Sequence, residues 1–267
     1  DWSKKPAVDA PFLEKIRHIS LDADDDVYLS IGGEARVYYT NWKHSTLGLR
    51  ANDDNDPVQT RLRLVGDLHV GPYVRAYVEL GDNREHGEQF ATPPNEDRID
   101  LYQAFMDVTV PLGDAGKLTF RPGRFEMPMG NGKLVGIREG LNMRLTYQGL
   151  RTTYILPGKL SVDAFALRPV AISADSFDDT GDAGKAFKGV YVSAPKAIAG
   201  FGTDAYWYRY DRSNATLREG TGDDQRNSWG ARLWKRTPQF DFDLEGTVQR
   251  GSFADQDIRA WGVMLET

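Results

Sequence analysis

The sequence predicts an all-β protein, an antiparallel up-and-down transmembrane β-barrel, and three observations carry that expectation. Strand-length segments follow one another along the whole chain. Most of them alternate charged with apolar residues. The connections between them alternate long with short. Successive side chains of a strand point to opposite faces, so an alternating segment has an oily face and a charged face. The clearest case is QTRLRLVGDLHV at 59–70, where Arg61, Arg63, Asp67 and His69 share one parity and Leu62, Leu64, Gly66, Leu68 and Val70 share the other.

About twelve strands are expected, over 27–41, 58–70, 73–83, 98–111, 117–127, 142–155, 159–169, 186–194, 202–212, 227–236, 239–250 and 257–267. Each has roughly the 9–11 residues, or slightly more, that a tilted strand needs to cross a bilayer. PFLEKIRHI at 11–19 reads as a short helical turn ahead of the first strand. Residues 1–26 are expected to form a periplasmic lead-in, and 27–267 the barrel. The chain stops at MLET without the terminal aromatic strand usual in such barrels, so the barrel is expected to be incomplete at its C-terminus. An unclosed sheet would leave edge groups unpaired in lipid.

The long connections are NWKHSTLGLRANDDNDP, DNREHGEQFATPPNED, MPMGNGKLVGIREGLN, ISADSFDDTGDAGKAF and DRSNATLREGTGDDQRN. The short ones are VGPY, PLGDAGK, LPGK, PKAIAGFG and RTPQ, with RGSFADQD between the two classes. Tight turns at one rim and long loops at the other are what an outer-membrane barrel requires. A soluble barrel or sandwich with uneven loops is the alternative.

The same parity division recurs. Ser30, Glu34, Arg36 and Tyr38 oppose Ala35, Val37 and Tyr39. Arg75, Tyr77 and Glu79 oppose Val74, Ala76, Val78 and Leu80; Gln103 and Asp107 oppose Tyr102, Ala104, Met106 and Val108. Trp207, Arg209 and Asp211 oppose Tyr206, Tyr208 and Tyr210; Asp241, Asp243, Glu245, Thr247 and Gln249 oppose Phe240, Phe242, Leu244, Gly246 and Val248. The apolar faces include Gly66, Ala76, Ala104 and Gly246, which lipid can cover without leaving voids. Ionisable residues sealed in a dry core are costly unless paired, whereas a watery lumen solvates them. The apolar face is therefore expected against lipid and the charged face against a lumen, with Tyr and Trp near strand ends forming an interfacial belt. Two segments resist this frame. Arg121 and Arg124 flank Pro122, and Arg144 and Arg151 flank Gly149, so neither pair shares a face without a bulge.

Other classes are poorly supported. The net charge of −6 argues against nucleic-acid binding. Cysteine is absent, which removes disulfides and thiolate metal sites. No apolar run is long enough for a transmembrane helix. His18, His44, His69 and His86 show no metal-ligand spacing, and neither a G-x-S-x-G elbow nor a P-loop occurs. No catalytic residue, cofactor or metal is expected. DNDP and SFDDTGD could hold divalent cations, but without EF-hand spacing a solvated acidic loop is the favoured reading.

Residues 121–170, RPGRFEMPMGNGKLVGIREGLNMRLTYQGLRTTYILPGKLSVDAFALRPV, resemble the alginate-export family of Gram-negative outer-membrane barrels. The matching features are GRFE, the loop GNGKLVGIREGLN, NMR and DAFALRPV; LSIGGEARVYYTNW and DLYQAFMDV fit as well. The resemblance implies a monomeric barrel of about 16–18 strands in the bacterial outer membrane. It also implies an arginine-rich lumen suited to acidic polysaccharide such as alginate, or to uronate-like acids. The expected partners are outer-membrane lipid and an anionic saccharide or organic acid; a dedicated exporter would also need periplasmic export proteins, for which no docking motif is identifiable.

A path for a polyanion needs spaced cations that bind weakly enough to release. Arginine suits this, because its planar fork pairs with carboxylates and stays charged. The candidates are Arg36, Arg61, Arg63, Arg75, Arg124, Arg144, Arg209 and Arg232, with Arg124 and Arg144 first by resemblance. Glu34, Asp67, Glu79, Asp107, Asp163, Asp243 and Glu245 are the acidic residues expected to face them across the lumen wall. Such pairs would brace the wall as readily as they would meet a solute. The loop GNGKLVGIREG at 130–140 either folds into the lumen as a constriction or packs on a neighbouring loop. A lipid-modifying enzyme and a closed adhesive barrel remain as alternatives.

Overall fold

The structure, a computed structural model, describes residues 5–7, 9–47, 49, 53–89 and 95–267. A single turn of helix, α1 (Phe12–Lys15), precedes the strands. These are β1 (Ile19–Ser20), β2 (Val27–Tyr39), β3 (Val58–Val70), β4 (Val74–His86), β5 (Asp97–Pro111), β6 (Lys117–Phe125), β7 (Tyr147–Leu156) and β8 (Leu160–Ala171). They continue as β9 (Thr180–Gly181), β10 (Lys185–Ile198), β11 (Phe201–Leu217), β12 (Gly220–Arg236), β13 (Asp241–Phe253) and β14 (Gln256–Glu266). They form one 14-stranded antiparallel sheet in sequence order, with β9 paired to β8 alone. No described helix is long and apolar enough to cross a membrane.

The long strands lie where alternation predicts them. Boundaries shift by a few residues at several ends, and three differences change the picture. β7 begins at Tyr147, so Arg144 belongs to the preceding loop and not to a strand. The expected long connection between β11 and β12 is instead a continued hairpin: after a register shift, Leu217 pairs with Gly220 across a tight turn. RGSFADQD likewise closes tightly, with Phe253 opposite Gln256. Ladder hydrogen bonds thus replace loop backbone at this part of the long-loop rim.

Burial settles the facing. Leu62 and Leu64 are 53% and 58% exposed, while Arg61, Arg63 and Asp67 on the opposite parity are buried. A water-soluble sheet would reverse this. Once lipid covers them, each such Leu gains roughly 1.5–3 kcal/mol. The far half of the outer face shows two ordered rows. Val190, Trp207, Trp229, Val248 and Trp261 pair in succession, and two residues nearer the long-loop rim Lys188, Arg209, Asn227, Arg250 and Arg259 do the same. An aromatic row under a basic row matches a membrane–water interface.

The lead-in runs along β2. Ile31 N–H donates to Ile16 O, β1 pairs with β2, and the rings of His18, Tyr28 and His69 stack at 4.2 and 4.5 Å. Among the described residues no pairing joins β14 to β1 or β2.

Candidate functional site

The inner face of the first half is a lattice of ion pairs. The register sets Glu34 opposite Arg63, Arg36 opposite Arg61, and Arg75 opposite Asp107. Arg75 donates twice to Asp67, at 2.8 and 2.9 Å, and Arg121 twice to Asp107, at 2.6 and 2.6 Å. The Phe105 ring lies between these two guanidiniums, 5.3 and 4.0 Å from its centroid. Arg151 donates to Asp163 at 2.8 Å. Arg63 stacks 3.4 Å over the Tyr102 ring and bonds Glu79.

Tyr102 was expected on the lipid face and lies inside. A register irregularity between Glu79 and Leu80 in the β4–β5 pairing turns it inward, where its hydroxyl donates to Glu126 at 3.0 Å.

The loop 126–146 folds inward against this wall. Arg61, fully buried, donates to Asn142 O, Leu141 O and Glu139 at 2.9, 2.7 and 3.1 Å. Asn142 donates in turn to Thr60 O and Asn95 O. Arg36 bonds Asn142 Oδ1 at 3.4 Å and lies 3.6 Å from Glu139. Arg144 pairs with Glu139, Glu126 and Glu34. Burial pushes the Glu139 carboxyl up, but the hydrogen bonds from Arg144 and Arg61 outweigh it and hold the group below the usual carboxylate range.

The other end of the loop reaches the far wall. Met127, Met129 and Val135 form one apolar cluster with Phe165, Leu167, Phe187, Tyr191, Tyr206 and Tyr208. Lys133 lies 3.7 Å from Asp243 and 3.3 Å from Glu266. At Gly130, with φ of 59°, an added Cβ would lie 2.9 Å from the Tyr191 hydroxyl. The loop therefore spans the interior from β3 to β13 and β14. Beside it lies a cavity of about 700 Å³ that includes Lys133, Arg138, Lys185, Tyr147 and Tyr210 in its lining.

A family model described as alginate export matches residues 27–267. The chain belongs to the alginate export family. Family and sheet together point to an outer-membrane channel of the alginate-export type rather than to an enzyme. Comparison with curated proteins gives no significant match. Among solved structures, Pseudomonas aeruginosa OccK5 (OpdH) is similar, with 10% identity, 89% of this chain and 68% of that chain covered, and a TM-score of 0.38.

In this alginate export protein the predicted arginines separate into three groups. Arg61, Arg63 and Arg232 face inward but are sealed, with side chains 0, 2 and 6% exposed. Arg232 is fixed between Asp243 and Asp204, and Asp204 also accepts from Tyr191, Ser193 and Trp234. Arg36, Arg75 and Arg144 face inward and keep partial access to solvent.

Arg124 and Arg209 do not face the lumen. The β5–β6 register puts Arg124 on the face of Ala104, opposite Arg121, and its guanidinium donates to Leu101 O and Asp179 O at 2.7 and 2.8 Å. Arg209 sits opposite Lys188 in the outer basic row and pairs with Asp211. The parity rule applies, but in β11 the tyrosines take the inner side because the loop presents an apolar surface to them.

Of the predicted acidic residues, Asp67, Glu79, Asp107, Asp163, Asp243 and Glu245 are buried on the inner face, and Glu34 is partly open beside Arg61 and Arg144. Glu245 accepts from the Tyr206 hydroxyl at 2.7 Å. Arg121, Arg151 and Asp204 belong to the site and were not among the predicted residues. Arg121 and Arg151 sit directly opposite each other in the β6–β7 pairing, a signal available only once register is known.

Proposed function

We propose that the protein is a passive, anion-preferring outer-membrane channel for acidic polysaccharide such as alginate, or for uronate-like acids. One observation carries this reading. At three pairs spread over β3 to β8 the arginine stands in front of its carboxylate partner. Arg75 is 31% exposed and Asp67 10%; Arg121 is 23% and Asp107 11%; Arg151 is 21% and Asp163 8%. The carboxylates orient the guanidiniums from behind, and a solute meets mainly the cationic edge. Each remains partly neutralised, which suits weak, repeated binding of a polyanion. The aromatic and basic lining of the cavity beside the loop supports saccharide contact at the long-loop rim. Outer-membrane lipid covers the apolar face in this reading, and the lead-in is the surface available to periplasmic export proteins.

A closed lumen is the competing reading, favoured by the fully buried Met127 and Met143 in the inward loop. Planar-bilayer recording of the full chain under a salt gradient separates the two. The channel reading expects a reversal potential of anion-selective sign, block by alginate oligomers, and weaker selectivity in Arg75→Gln and Arg121→Gln. Absence of conductance from folded protein would contradict it and support the closed barrel.

A further inference from the structure

Four aspartates meet where the start of β5 touches the connection from β8 to β9. Asp97 and Asp100 come from the strand, Asp178 and Asp179 from the connection, and one carboxylate oxygen of each lies within 4.8 Å of one from every other. The backbone brings them together. β6 ends at Phe125, and past that point the connection takes its place beside β5: Arg98 N–H donates to Ala174 O at 3.4 Å and Phe177 N–H to Ile99 O at 3.2 Å. Asp100 Oδ2 then accepts from the N–H groups of Asp178 and Asp179, at 2.9 and 3.3 Å.

The charge balance of this group is poor. Asp97 and Asp100 are buried, Asp179 is half-buried and Asp178 is exposed. Asp97 is 2% exposed, and its Oδ1 has no hydrogen-bond donor. Among the described residues the salt bridge into the group comes from Arg124, 3.5 Å from Asp100. Buried carboxylates without matching donors are costly.

A hard divalent cation would relieve this. All four ligands offer oxygen. Calcium takes oxygens at about 2.3–2.6 Å in adaptable geometry, so two oxygens on one ion are at most ~5 Å apart. Magnesium requires a tighter octahedron and keeps more of its water. The exposed Asp178 gives a hydrated ion its entry.

We propose that Asp97, Asp100, Asp178 and Asp179 bind a calcium-class divalent cation that clamps the β8–β9 connection to the start of β5. The proposal is independent of which solute the channel carries.

The test is calorimetric titration of CaCl2 into the full chain, stripped of metal by chelator and held in detergent micelles, with melting curves alongside. Binding is expected with Kd of about 0.1–1 mM, the range of extracellular calcium modules, and with a rise of a few degrees in Tm at ~10 mM calcium. MgCl2 at the same concentration should shift Tm less. Asp97→Asn and Asp179→Asn should weaken binding at least tenfold. Asp178→Asn, at an exposed position, should weaken it several-fold without lowering the metal-free melting temperature. No calcium binding by the folded wild type, an equal response to magnesium, or undiminished binding in all three variants would overturn the proposal.

Discussion

The inner face of β3 and β4 carries Arg61, Arg63, Asp67, Arg75 and Glu79, whereas the inner face of β10 and β11 carries Phe187, Tyr191, Tyr206 and Tyr208. Both follow the period of two. They differ in what stands across from them. The first wall faces the polar end of the loop 126–146, with its carbonyls at Leu141 and Asn142 and the carboxylate of Glu139. The second faces Met127, Met129 and Val135. Parity tells which residues share a side; the facing chain decides what that side must be. In β11 this puts tyrosines inside and leaves Trp207 and Arg209 to the membrane interface.

The contrast can be broken by mutation. The largest effect is expected at the buried loop end. Met127→Ala should lose about 2–5 kcal/mol in denaturant unfolding, because a closed apolar cluster cannot refill the space. The same truncation at Leu62, on the outer face, should cost far less. Similar losses at both would contradict the assignment of inside and outside. Next comes charge on the wall. Leu64→Arg should cost about 2–4 kcal/mol in lipid, and Arg209→Leu, at the basic row, under about 1 kcal/mol. A larger loss from Arg209→Leu would place that row off the interface.

Smaller effects sharpen the picture of the loop. Gly130→Ala meets both a positive φ and the Tyr191 hydroxyl, and should cost about 1–3 kcal/mol and raise protease cleavage of the loop. Tyr191→Phe in the same chain should recover only the part owed to the hydroxyl contact. The weakest effect is that of pH. The folded-state pKa of Glu139 is lowered, so its contribution is present above the ordinary Glu value near ~4.3 and is lost as pH falls through the lower folded value. Conductance should therefore hold steady from neutral pH to about 4 and change only below it. A step between pH 5 and 7 would show that another group pins the loop.

Much of this was legible in the chain. The long strands declare themselves by alternation and turn chemistry, and β3 matches its predicted span from Val58 to Val70. The facing of β3, β4 and β13 is legible because one parity is charged and the other apolar. β11 is ambiguous, since tyrosines occupy one parity and Trp, Arg and Asp the other. The inward loop removes the ambiguity, yet it lies between β6 and β7, far away in sequence. Tyr102 is hidden by a register irregularity that strict alternation does not contain. The conflict over Arg144 and Arg151 disappears because Arg144 belongs to the loop. The conflict over Arg121 and Arg124 resolves with one inside and one outside. The aspartate group unites SFDDTGD with the start of β5, and no local spacing could announce it.

The central claim is that the inner face changes from charged to aromatic between β3 and β11 while both outer faces meet lipid. The chain contains no cysteine, so single-cysteine variants can be labelled cleanly. Fluorophores at residues 62, 63, 207 and 208, in bilayers containing a lipid-soluble quencher, test the claim most directly. Quenching at Leu62 and Trp207 with protection at Arg63 and Tyr208 is the predicted result. Quenching at Tyr208 with protection at Trp207 would contradict it.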